Sequence, residues 1–374
     1  MKDSLLYKKI LGSYAGSSIG AAMGAAVEWI CLPNGGYKAI EDKLGWVEDL
    51  LPWTQQERVV RYWNSPRLQY YHMECPAGMT EDGTELKYLT AMAIIEKKGR
   101  ITVHDLAEQW RQKIRREHIG YLINPHIVIY YDRLKAGDEM TRLHPGDIGT
   151  GSYWPGMVDV QMMISPVGII NAGDPEQAAL DAFNVGSIMQ SRIGFGLDLA
   201  AAVCAAVAEG FKPDATVDSV IEASKRYVAK PVQEVIDEAI DIAIRYPDLK
   251  SVRQPFFDKY SWLPAFDGME VLAEALACFY IAKGDVRQAI IGGANFGRDT
   301  DCIAAVAGAI AGSFSGSDAL PPAWIETVDR AVASSPYTLQ DRSLHEMASG
   351  LYEAVLNNAS RLRNQLRVVE TLSQ

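Results

Sequence analysis

The chain is short of several features that would each have pointed to a function class. Its 374 residues hold five cysteines, Cys31, Cys75, Cys204, Cys278 and Cys302, an odd and scattered set with no CxxC pair. The spacing excludes a disulfide frame and a zinc ribbon, and fits free thiols in a reducing cytoplasm. Six histidines form no HxxxH pair, so each is read as a surface or loop residue. Ser152 and the other loop serines lack a Gly-x-Ser-x-Gly setting, and the glycines of "GTGSYWPG" lack the lysine of a phosphate-binding loop. Positive charge is in deficit, with 36 Lys and Arg against 47 Asp and Glu and a net charge of −11. A nucleic-acid surface needs clustered cations, so that class of partner is excluded. A long uninterrupted apolar run is missing too. "ILGSYAGSSIGAAMGAAVEWI" comes closest, but its Gly and Ser content argues for a buried helix, not a membrane span or signal. No run of alternating residues argues for strands.

What is present is helical periodicity. Apolar residues recur at helical spacing in "TELKYLTAMAIIEKKG", and Thr102 opens the next segment as an N-cap. The tail places Leu344, Met347, Leu351, Val355, Leu362, Leu366 and Val369 on one face of a closing helix. Gly12, Gly16, Gly20 and Gly24 fall every four residues. Each costs a helix roughly 1 kcal/mol relative to alanine, so a second backbone must approach that stripe closely. Ala304, Gly308 and Gly312 repeat the spacing and supply the partner. The expected fold is all-α, a compact orthogonal multi-helix arrangement. With no interdomain linker, residues 1–374 read as one domain with irregular loops at about 31–79 and 136–166.

Acidic residues then gather at helix starts. Asp299 and Asp301 sit two apart in "GRDTDC", ahead of the Ala/Gly helix. Alone, such a pair reads equally as an N-cap and a first-turn acid. Thr80, Glu81 and Asp82 precede another helix, and Glu28 lies just beyond the glycine stripe. If the glycine-faced helices pack together, Glu28 comes near the others. Five acids from three segments cannot converge without cations, because buried like charges cost heavily. An oxygen-only set suits Mg²⁺, or Mn²⁺, better than zinc, and two ions would balance the charge.

Three segments carry a resemblance: "GSSIGAAMGAAVE" (16–28), "TEDGT" (80–84) and "GRDTDC" (297–302). In that order, with "LPPAW" following the third, the chain resembles the ADP-ribosylglycohydrolase family, the dinitrogenase-reductase-activating type, over about residues 10–330. The resemblance implies an all-helical domain with a binuclear Mg²⁺ site. Thr80, Glu81 and Asp82 would bind metal on one side and Asp299 and Asp301 on the other. Glu28 would coordinate or orient water. The implied reaction cleaves an N- or O-glycosidic bond to ribose, with Asp82 or Asp299 deprotonating the attacking water, and the implied substrate is ADP-ribosylated.

The chain also departs from the family pattern. Ala21 stands for the aspartate of the first motif, Glu81 for an aspartate and Gly83 for a hydroxyl residue; Arg298 replaces a glycine and Cys302 a Thr or Ser. In "MVDVQMMISPVG", Met163 replaces the arginine of a substrate-binding segment and Asp159 falls in its central Asn region. Asp159 and Met163 are therefore candidate substrate contacts, with Tyr153 and Trp154 as stacking surfaces for a base. The aromatics of 37–71 read either as a lid or as buried packing. Two other readings stay open: hydrolysis of a nucleoside or other small glycoside, and a non-catalytic binding or structural relative. No membrane partner is expected, and the sequence does not fix an oligomeric state.

Overall fold

Capping residues mark the helix starts. Thr102 with Asp105, Thr216 with Ser219 and Ser343 with Glu346 each form a reciprocal cap. Asp174, Asp267 and Asp285 each accept a hydrogen bond from a first-turn backbone N–H. The structure is a computed structural model that describes residues 2–31, 35–60, 69–124, 126–137, 144–151 and 155–373. The first part of the chain forms α1 (Leu5–Cys31), α2 (Tyr37–Leu44), β1 (Trp53–Val60), β2 (Gln69–Cys75) and α3 (Asp82–Lys97). Next come α4 (Val103–Lys113), α5 (Ile127–Ala136), α6 (Asp159–Met163), α7 (Ser165–Ile170) and α8 (Pro175–Gly186). The middle continues with α9 (Gly196–Gly210), α10 (Val217–Arg226), α11 (Lys230–Arg245) and α12 (Arg253–Tyr260). The last part holds α13 (Gly268–Ile281), α14 (Val286–Ala294), α15 (Thr300–Ser315), α16 (Pro322–Ser334) and α17 (Leu344–Leu372). The all-α expectation is met.

At the centre, α1 and α15 run antiparallel with their small faces together. A Cβ added at Gly12 would come 2.6 Å from the Gly312 carbonyl oxygen, and one at Gly16 2.7 Å from that of Gly308. Gly20 faces Ala304 and Gly24 faces Thr300 in the same register. No real side chain fits such gaps, so the glycine stripe is explained by backbone contact. Helix α1 is long and apolar enough to cross a membrane, yet its most apolar 18-residue stretch is buried inside the protein. Its small residues place the charged ends of both helices with little freedom. Lys87 of α3 ties in a third element, donating to the Tyr14 carbonyl (3.1 Å) and to Ser18 Oγ (2.8 Å) of α1.

One element was not foreseen. Strands β1 and β2 form an antiparallel hairpin, Trp53 opposite Cys75 and Thr54 opposite Glu74, with an irregularity between Gln55 and Arg58. It falls inside the stretch read as irregular, where Pro and mixed charge hide any period of two. The aromatics described there are packed rather than laid over a site. Trp53 is buried, and the Arg253 guanidinium lies over the rings of Tyr37 and Trp46, 4.4 and 5.1 Å from their centres. Tyr62 and Trp63 lie outside the described residues.

Helix α17 has the face that its spacing predicts, but only its first half is covered. Leu344, Met347, Leu351 and Val355 are buried, whereas Leu362, Leu366 and Val369 are half exposed or more.

Candidate metal centre

The register of α1 on α15 builds one corner of the site. With Gly24 against Thr300, one further turn of α1 carries Glu28 alongside the lead-in to α15. Glu28 belongs to the helix itself, which runs to Cys31, rather than lying beyond it. Thr300 Oγ1 donates to the Gly24 carbonyl at 2.9 Å, locking the two segments. The Cys31 thiol, one turn on, reaches the Arg298 carbonyl at 3.2 Å.

Helix α15 begins at Thr300, earlier than the sequence suggested. Asp299 is its N-cap residue and Asp301 lies in its first turn. The Asp299 side chain makes no cap hydrogen bond. The same holds for Glu81, the N-cap residue of α3. Asp299 and Asp301 thus stand where an N-cap and a first-turn acid would, but neither N-cap side chain is spent on a backbone N–H of its helix. Glu81, Asp82, Asp299 and Asp301 are all buried. Together with Glu28 they line one cavity of about 220 Å³, shared with Trp29, Asn124, His126, Met157, Val158, Asp159, Met162, Phe266 and Cys302. Larger cavities of about 690 and 650 Å³ exist elsewhere, but their linings gather no comparable carboxylate cluster.

Electrostatics show what the cluster lacks. Burial, and then the Asp301 carboxylate beside it, push the Asp299 carboxyl well above the ordinary range, with Asp82 adding to the effect. Ligand atoms of Asp299, Asp301 and Cys302 all lie within 4.8 Å of one another. Hard oxygen donors crowded at this separation fit a divalent cation such as Mg²⁺. The thiol does not fit equally well. Burial followed by the neighbouring aspartates pushes the Cys302 Sγ–H well up, and it lies 3.7 Å from Asp301 Oδ2 and 3.8 Å from Met162 Sδ. A protonated thiol is a poor ligand for a hard ion, so carboxylates and water are the donors that suit this place.

Other sequence-predicted residues fall in varied places. Thr80 is fully buried and does not line the cavity; its Oγ1 accepts from Gln340 Nε2 at 3.4 Å. Asp159 lines the cavity and is 1% exposed. Met163 lies in the main hydrophobic core instead, and the methionine of α6 that lines the cavity is Met162. Met163 thus fills the interior and does not line the cavity. Tyr153 and Trp154 lie outside the described residues.

Several residues of the site gave no sequence signal. His126, read as a loop or surface residue, lines the cavity and pairs its Nε2 with Asp159 Oδ1 at 3.1 Å. These two are 33 positions apart, and only the fold joins them. Arg298, in the left-handed region at φ 65°, grips Glu270 through Nε (2.5 Å) and Nη2 (3.0 Å) and the Leu263 carbonyl at 2.6 Å. It thereby fastens the late acidic motif to the loop that carries Phe266. Glu85 accepts from Thr338 Oγ1, the Leu339 N–H and Gln340 Nε2, so the segment before α17 is clamped to the first turn of α3.

Helices around one buried acidic cavity, fed by three distant segments, define the class: a helical protein with a buried carboxylate cluster. The chain belongs to the ADP-ribosylglycohydrolase family, whose pattern matches residues 2–360. It is similar to an uncharacterised protein of Archaeoglobus fulgidus, 24% identical over 353 residues, covering 92% of this chain and 96% of the relative. It is also similar to the uncharacterised protein YegU of Escherichia coli, 22% identical over 330 residues, covering 84% and 90%. Among solved structures, an "ADP-ribosylglycohydrolase-related protein complex" shares the fold with a TM-score of 0.60 at 18% identity, covering 94% of this chain and 99% of that one. Family membership supports glycoside hydrolysis in general.

Proposed function

We propose that this protein is a Mg²⁺-dependent hydrolase of an N- or O-glycosidic bond to ribose, acting on an ADP-ribosylated substrate. The observation that carries the reading is the convergence of Glu28, Glu81, Asp82, Asp299 and Asp301 on one small cavity. In it, Glu81 and Asp82 hold metal from the α3 side and Asp299 and Asp301 from the α15 side. Bound Mg²⁺ or Mn²⁺ supplies Lewis acidity and a water of lowered pKa. With the cation in place, Glu28 would orient the attacking water and Asp82 or Asp299 would accept its proton. The surrounding carboxylates favour the positive charge that develops at the ribosyl carbon as its bond breaks. Phe266, Met157 and Trp29 give the cavity apolar walls.

A second reading has an observation of its own. Among the described residues that line the cavity there is no Lys or Arg to meet a diphosphate, and Met163 stands at the place of the arginine in the family pattern that the chain resembles. An uncharged riboside or other small glycoside needs neither. The deciding experiment incubates the protein with an ADP-ribosylated protein and, separately, with a nucleoside panel, each with Mg²⁺ and with EDTA. Metal-dependent release of ADP-ribose supports the first reading, and base release from nucleosides alone replaces it with the second. No turnover and no metal binding would leave the non-catalytic reading standing.

A further inference from the structure

The metal ligands account for the attacking water but not for the departing group. When a C1–N or C1–O bond breaks, the electron pair leaves with the nitrogen or oxygen, which then needs a proton unless it is a stabilised anion. Among the described lining residues, carboxylates that hold cations only accept protons. Asn124 and Trp29 donate hydrogen bonds without giving up a proton. Glu28 serves the water. The Cys302 thiol is ordinarily a much weaker acid than an imidazolium, so His126 is left, and imidazole is the side chain whose ordinary charge change lies nearest neutral pH.

The surroundings of His126 are built for that task. Asp159, 1% exposed, takes the imidazole Nε2 at 3.1 Å through Oδ1. A carboxylate can only accept, so the proton of this contact sits on Nε2. Asp159 Oδ2 is buried and has no hydrogen-bond partner. A buried oxygen left unsatisfied is costly, and in a cavity-lining residue it marks where a ligand N–H or O–H belongs. The position of Asp159 is fixed from both sides. The Val158 N–H donates to the Phe266 carbonyl at 3.1 Å, and Gln161 Nε2 donates to the Gly268 carbonyl at 2.9 Å. Met162, one turn along α6, packs against Cys302 and against Gly83. The dyad is thereby set beside both metal-binding segments without belonging to either.

We propose that His126 protonates the leaving group and that Asp159 positions it, binding a leaving-group donor through Oδ2. This rests on the hydrolytic reading given above. In the balanced reaction, the glycosidic bond breaks, its electron pair passes to the leaving atom, and that atom takes the imidazolium proton. Water adds at C1 and yields one proton to a metal-site carboxylate. Solvent returns a proton to His126 and removes one from the carboxylate, so the net change is riboside plus water to ribose unit plus protonated leaving group.

The test uses paired substrates built on whichever ribosyl unit the wild type cleaves. One carries a 4-nitrophenolate leaving group, which departs without a proton. The other carries an alkyl amide or alkoxide, which does not. His126→Gln is expected to lower kcat on the second by roughly 10²–10⁴-fold. Its loss on the first should be smaller by about tenfold or more. Asp159→Asn should show the same selectivity with a smaller loss. Mg²⁺ affinity, read by calorimetry on His126→Gln, should match the wild type. Equal losses on the two substrates, no loss on either, or a loss of Mg²⁺ binding would each overturn the proposal. Nitrophenyl turnover reports folding within the same assay. A wild type that cleaves no ribosyl substrate would defeat the hydrolytic reading itself, whereas a cleaving wild type with an unselective variant defeats only this one.

Discussion

Helices α1 and α15 meet twice, and the two meetings differ in kind. Along the middle, Gly12, Gly16, Gly20 and Gly24 face Gly312, Gly308, Ala304 and Thr300, and backbone touches backbone with no side chain between. At one end, Glu28 approaches the Asp299–Asp301 pair, where burial and like charge hold Asp299 well away from its ordinary ionisation. The seam is complete as it stands. The acidic end is incomplete without positive charge. A change in the seam should therefore act on folding first and on chemistry as a consequence, while a change at the end should do the reverse.

The largest effect is expected at the seam. Gly20→Val places methyl groups into the Ala304 backbone, which has no free direction to move. The expected cost is at least about 3 kcal/mol, measured by urea unfolding, with metal binding lost alongside. A variant of near wild-type stability would break the comparison.

Arg298→Ala comes next, because it strips the cation from Glu270, whose side chain is buried and pairs with it at 2.5 Å. Removing one partner of a buried pair costs roughly 3–5 kcal/mol when the other stays charged. Burial, partly countered by Arg298, already raises the Glu270 carboxyl to about 7. A carboxyl raised above its unfolded value of 4.5 binds more protons in the folded state over that window. Its contribution to stability is thus fully present at low pH and falls as pH rises from 4.5 through about 7. The Arg298→Ala penalty should accordingly be small at pH 5 and large at pH 8, read from unfolding curves at each pH. A penalty independent of pH would show that Glu270 is not the group left behind.

Asp301→Asn separates the two meetings most cleanly. Activity should fall by about 10²-fold or more as a metal ligand and its charge are lost. Stability in EDTA should hold or rise, since Asp299 loses the like charge beside it. A lower melting temperature in EDTA would contradict the cationic deficit. The smallest effect belongs to the exposed end of α17, where Leu366→Ser should shift stability by no more than about 0.5 kcal/mol in the same assay.

The seam was legible because glycine is costly in a helix unless a backbone replaces the missing side chain, and two stripes of equal spacing give both partners. The acidic cavity was legible because its segments are short, and each sits at a helix terminus whose packing the seam dictates. The hairpin of β1 and β2 was not, since mixed charge and aromatics mask its alternation. Asp159 was singled out from its motif, but its pairing with His126 was not, because a contact across 33 residues leaves no local period. Met163 shows the opposite error: its motif position suggested a ligand contact, while its burial makes it core. Periodicity also marked the apolar face of α17 but said nothing of where its covering ends.

The central claim is that the carboxylates of α3 and α15 hold divalent cations. Calorimetric titration of Mg²⁺ into the metal-stripped wild-type protein tests it most directly, with Asp301→Asn titrated beside it. Saturable binding approaching two ions per chain in the wild type, weakened or absent in Asp301→Asn, is the expected result. Absence of saturable binding to the folded wild type, or identical isotherms for the two proteins, would contradict the account.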